Sequence, residues 1–306
     1  MKTNSKQAGI LLVGFLMLAV SACSSDSGSA DPLTGTRSTA ELTTISDEAA
    51  TNSGIAAADF TAVSADNFWD VDTATGALGS IAALALADAG NNGALKAAKL
   101  SVANRMRSSA LKARDAVGQD VGQRSQRTVD VDETYTIDSS VPCLAGGKAT
   151  VTGSVHEVFK ATGTETSGTI STNLDIEDLK MVLDGCVTGT WTFWGETLEN
   201  YSEEASTTYT VSDTAISIGF SVTSNGTLDG GLAMSDGSTH YNFPFAVGYK
   251  LTGNGTVPDS SEEIVWSSAS ISVTYKIGDV TCTLSETDPD VIFSDAGIPE
   301  SSWKCN

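Results

Sequence analysis

From Thr128 to the C-terminus, apolar and polar side chains alternate, and this constrains the fold more than any other feature of the chain. Ala149, Val151 and Val155 follow the pattern. So do Ile216, Ile218, Phe220 and Val222, and later Ile264, Trp266, Ala269, Ile271, Val273 and Tyr275. Val129, Val131 and Tyr135 alternate with charged residues. A strand turns successive side chains to opposite faces, so a period of two marks strands with one buried face. No helical period separates these runs, so parallel crossovers are not expected. Asn225-Gly226 and Asn254-Gly255 are expected to form tight hairpin turns. Asp184-Gly185, Asp236-Gly237 and Gly278-Asp279 are further turn signals. The expected fold is mainly β with an N-terminal helical segment. It is an antiparallel meander of about 10–12 strands that forms a curled sheet or open barrel, the alternative being a two-layer β-sandwich.

The N-terminus has a different texture. Lys2 and Lys6 precede the uncharged apolar run Ala8 to Val20, and Val20-Ser21-Ala22-Cys23 follows. Roughly 13 apolar residues are too few to cross a bilayer as a helix and suit the core of an export signal. This stretch resembles the lipobox of bacterial lipoproteins, in which a signal peptidase cuts before a lipid-modified cysteine. The resemblance implies cleavage before Cys23, lipidation of Cys23 and attachment to a membrane. Ser24, rather than Asp, follows the cysteine, which within that family implies the outer membrane. Further on, Cys143 with Gly146-Gly147, then strands leading to Cys186, loosely resembles uncharacterised β-rich lipoproteins of Gram-negative bacteria. That second resemblance implies no activity.

Four segments are expected. Residues 1–22 are the signal peptide, and 23–58 are the lipidated Cys23 and a flexible tether rich in Ser, Thr, Ala and Gly. Residues 59–127 are a helical segment, and 128–306 are the antiparallel β domain. Within the helical segment, Leu95, Ala98, Val102, Met106, Ala113 and Val117 form one apolar stripe at helical spacing. Residues 94–127 carry eight basic side chains against Asp115 and Asp120, while from Thr128 onward there are 26 acids and six lysines. The stripe is expected to dock on the sheet with its basic flank towards acidic strands. The competing reading has that flank meeting anionic lipid headgroups.

Charge and cysteines narrow the partners. The full chain carries a formal charge of -21, and loss of Lys2 and Lys6 makes it about -23. Such a surface repels nucleic acid, whose binders carry basic patches. Apart from Cys23 there are Cys143, Cys186, Cys282 and Cys305. An even number in an exported chain reads as disulfides. Four cysteines allow three connectivities, of which sequence neighbours give Cys143–Cys186 and Cys282–Cys305.

Chemical motifs are scarce. His156 and His240 are the only histidines, and both fall in strand-like runs. His156-Glu157 begins like a zinc-protease motif but lacks the second histidine. No nucleophile-elbow motif is present. Asp70-Val71-Asp72 starts like a calcium loop but fails at the later ligand positions. Asp288, Asp290 and Glu286 could gather a cation by proximity. Trp194 should lie on the opposite face from Trp191 and Phe193, either exposed to sugar or lipid or covered by a packing helix. No cofactor, metal ligand or catalytic residue is assigned. The expected function is a non-enzymatic structural or interaction module of the cell envelope, with an envelope protein or an apolar ligand as partner. A lipid- or small-molecule-binding curled sheet and an enzyme of unknown class are the alternatives.

Overall fold

Among the described residues, Thr- and Val-rich segments form nine strands: β1 (Arg127–Pro142), β2 (Lys148–Gly163), β3 (Ser167–Thr188), β4 (Trp191–Val211), β5 (Ile216–Ser235), β6 (His240–Val257), β7 (Val265–Ile277), β8 (Val280–Glu286) and β9 (Lys304–Cys305). The computed structural model describes residues 33–64, 66–68, 71, 75, 127–143, 145–163, 167–211, 216–257, 265–292, 298 and 300–306. Each strand pairs antiparallel with the next, in the order β1 to β9, as one sheet. Among the described residues no ladder joins β1 to the far edge, so the sheet is an open curl and not a closed barrel or a sandwich. Alternation does what the sequence implied. Ala269, Ile271, Val273, Tyr275 and Ile277 of β7 are buried on the inner face, and Ser270, Ser272, Thr274 and Lys276 between them are not. Buried residues from Ile137 on β1 to Leu284 on β8 belong to one core.

The strands are long; β3, β4 and β5 run 22, 21 and 20 residues, respectively. Asn225-Gly226 and Asn254-Gly255 are not the expected turns: they lie inside β5 and β6. The reason at Gly226 is steric. It pairs with Tyr201 on one side and Tyr249 on the other, and a Cβ there would sit 2.7 Å from Tyr249 Cε1. The glycine makes room for a ring, and ladders on both flanks outweigh the local turn preference. Asp236-Gly237 and Gly278-Asp279 do join strands, β5 to β6 and β7 to β8. Asp184-Gly185 falls in β3 at a register irregularity against β4.

The expected tether over 23–58 differs from what is observed at its C-terminal part. Thr39–Ser53 is an α-helix, α1, with Ser38 and Glu41 forming a reciprocal capping box and Gly54 in the left-handed conformation at its end. It packs on the outer face of β4, β5 and β6. Gly231 allows the close approach, since a Cβ there would lie 2.3 Å from Ser46 N. Beyond α1 the chain rounds the end of the sheet. Thr61 N donates to His240 O at 2.8 Å. Phe68, Val71 and Thr75 are then helical and buried, and Phe68 meets Tyr275 of the inner face edge-on, with centroids 5.2 Å apart. Residues 1–32, including Cys23, and 76–126, which carry the apolar stripe, lie outside the described residues.

Two disulfides bind one end. Cys143–Cys186 ties the segment after β1 to β3 across 43 residues, and Cys282–Cys305 holds β9 to β8 across 23.

Candidate functional site

The inner face is apolar at the end where the disulfides and Phe68 sit, and polar at mid-height. Odd-numbered residues of β4 point inward there: Thr197, Glu199, Tyr201, Glu203 and Thr207. Register places Glu199 beside Leu179 and Leu228, Tyr201 beside Ile176 and Gly226, and Glu203 beside Leu174 and Ser224. On β6, Tyr249 leans over Gly226 towards β4, with its ring 6.5 Å from that of Tyr201. Glu157 on β2 stands in the same row as Leu174 and Glu203.

Burial governs the electrostatics of this band. Glu203 is 2% exposed and accepts a hydrogen bond from the Tyr201 hydroxyl. Glu199 keeps some access to solvent, yet protein crowds its carboxyl and burial pushes it up to about 7. Burial, reinforced by the charges of Glu199 and Glu203, holds the Tyr249 phenol well above its ordinary value. Tyr249 Oη and Ser224 Oγ are both buried and lie against one another, and the Ser224 hydroxyl offsets part of the rise of the Tyr249 phenol. A carboxyl that titrates near neutrality can take or give a proton there. Both histidines lie on the opposite face by register, and the four described cysteines are bonded in pairs, so neither residue type joins this band.

The outer face carries a second constellation, an ionic clamp on the start of α1. Arg37 Nε donates to Asp229 Oδ1 at 2.7 Å, its backbone N donates to Asp229 Oδ2 at 2.7 Å, and Nη1 meets Glu196 Oε1 at 2.6 Å. Lys180 Nζ reaches Glu196 Oε2 at 2.5 Å. Asp229 is 3% exposed at its side chain. Burial works against the charges of Arg37 and Glu196, and their ionic partners outweigh it, leaving Arg37 raised and Glu196 lowered.

The residues singled out from sequence are dispersed. Trp194 packs under α1 with Ala49, Ala50 and Ala233. His156 is exposed and bonds Asp132 at 2.8 Å, with Asp175 at 4.0 Å; the Asp132 bond lifts its ordinary value. His240 bonds Ser235 Oγ at 2.7 Å. Glu286 and Asp288 accept backbone N–H groups around the short helix α2 (Pro289–Ile292), where their oxygens serve the turn. Asp70 and Asp72 lie outside the described residues. Among the described residues no three His, Cys, Asp or Glu side chains gather as metal ligands. Nothing in the letters singled out Glu199, Glu203 or Tyr249. Comparison of the chain with family models, curated proteins and solved structures finds no match.

Proposed function

We propose that the chain is a lipid-anchored protein of the bacterial cell envelope, held at the outer membrane through Cys23, whose curled sheet is a non-enzymatic structural or interaction module. One observation carries the reading. Of the five cysteines, four are joined in two disulfides, and the fifth is Cys23, directly after the export-like N-terminus. Disulfides form and persist in oxidising compartments outside the cytoplasm. The formal charge of -21 opposes a nucleic-acid partner. The inner face does not favour a purely apolar ligand. Its apolar end is occupied by Phe68 and Val71 of the chain itself, and its middle is lined by carboxyls and hydroxyls. The test is metabolic labelling with a fatty acid in a bacterial host. The wild-type chain should incorporate label and partition into detergent, and Cys23→Ala should abolish both. A mature protein cut elsewhere and recovered unlabelled in the soluble periplasm would refute the anchor.

A further inference from the structure

The two edges of the sheet are finished differently. At the far edge β9 is only two residues long, the Cys282–Cys305 disulfide holds it to β8, and α2 packs beside β7. At the near edge β1 offers 16 residues, about 50 Å of extended backbone. It pairs with β2 on one side, and among the described residues no ladder forms on the other. Bulges, prolines and lysines are common ways of blunting such an edge. β1 keeps an unbroken register with β2 from Arg127 to Pro142, whereas the β2–β3, β3–β4 and β6–β7 registers all slip. It contains no lysine, and its one proline is its last residue. A regular edge of this kind is a template for an added strand, whose main-chain groups continue the ladder.

The side chains of β1 select the strand that can be added. Asp130, Asp132, Thr134, Thr136 and Asp138 are exposed on the outer face, and Ile137 and Val141 are buried on the inner one. Lys160 stands opposite Asp130 on β2, and His156 bonds Asp132. Within β1 itself the one base is Arg127, against Asp130, Asp132, Glu133 and Asp138. A second copy of β1 laid alongside would bring carboxylates next to carboxylates, which repel. Basic side chains on the outer face of an added strand would instead meet Asp130, Asp132 and Asp138. The residues between them would continue the inner face of Ile137 and Val141, where apolar side chains fit. We propose that the open edge of β1 is a docking site for an extended segment of a partner protein in which basic and apolar residues alternate. The proposal rests on the interaction-module reading above and gives that module its surface and its kind of partner.

The test is fluorescence anisotropy of a labelled peptide of alternating Lys and Val, about 12 residues long so that it spans most of the edge, titrated with the purified full chain. Binding should saturate, and should weaken about tenfold when monovalent salt rises from about 50 to about 500 mM. A peptide of the same composition with the alternation scrambled, and one with Glu in place of Lys, should each bind at least about tenfold more weakly. An added strand aims every second N–H at its neighbour. N-methylation of one alternate set of peptide nitrogens should therefore abolish binding, while methylation of the other set should leave it within about threefold. Asp130→Lys combined with Asp132→Lys should weaken binding at least about tenfold. Glu48→Lys, on the exposed side of α1, should leave it unchanged. Equal binding of the scrambled peptide, or equal effects of the two methylations, would overturn the proposal. So would no binding of the alternating peptide, the result expected if the acids of β1 serve only to keep strands away. Should the double variant fail to fold, the peptide comparisons on the wild-type chain decide. Fatty-acid labelling at Cys23 is scored separately, so failure at the edge leaves the anchor standing.

Discussion

Burial of the Glu199 carboxyl ties the stability of the sheet to pH. Its folded value stands near 7 against an ordinary 4.5, because burial disfavours the charged form. The folded state then holds a proton that the unfolded state has lost between those values. Stability from this group is full below about pH 4.5 and declines as the pH rises towards 7. Glu199→Gln removes the charge and keeps the shape. The variant should match the wild type at pH 4.5 and exceed it by about 1–3 kcal/mol at pH 8, as read by urea denaturation at both values. A variant less stable than the wild type at pH 8 would show that the charged form is compensated. Gly226 is the other residue on which the band depends. In the letters it belongs to a hairpin signal, and in the fold it is the gap that admits the Tyr249 ring.

At the scale of elements, α1 is held to the outer face by shape and by charge. Shape comes from Gly231 and Ala233, which let the helix backbone approach, with Trp194 and Phe60 packing at its side. Charge comes from Arg37 on the buried Asp229 and on Glu196. Exposed ion pairs contribute little, but removing one partner of a buried pair leaves an uncompensated charge. Arg37→Ala should destabilise the chain by about 3 kcal/mol in urea, and Asp229→Asn with it should recover part of that loss. An effect under about 0.5 kcal/mol would mean that the helix docks by packing alone. The start and stop of α1 were present in the sequence as Ser38-Thr-Ala-Glu41, a capping box, and Gly54. They are masked there by a Ser-, Thr- and Ala-rich composition with a weak apolar stripe, and only Leu42, Ser46, Ala49 and Ala50 are buried. Small residues suffice because Gly231 and Ala233 lie directly beneath them in the sheet.

Across the whole molecule, one sheet serves two packings. Its outer face takes α1, and its inner face takes the segment that carries Phe68 and Val71, so the chain wraps the sheet end before the first strand begins. Phe68 is 1% exposed against Tyr275. Phe68→Ala should cost about 3–5 kcal/mol and weaken the near-ultraviolet signal of the buried tyrosines, measured by denaturation and circular dichroism. A loss below about 1 kcal/mol would show that the inner face does not depend on this plug. Alternation over residues 128–306, with no helical period between the runs, was enough by itself to determine an antiparallel β fold with an apolar inner face, because a strand has only two faces and one of them must be apolar. The even set of cysteines after Cys23 was an equally local signal, of the two disulfides. Tertiary structure alone decided which glycines turn the chain and which make room for rings, because Asn-Gly has the same local preference in both places. It also decided that Glu199, Ser224 and Tyr249 share the inner face. They come from three strands, their separation in sequence carries no period, and only the register of β4, β5 and β6 brings their oxygens to one face.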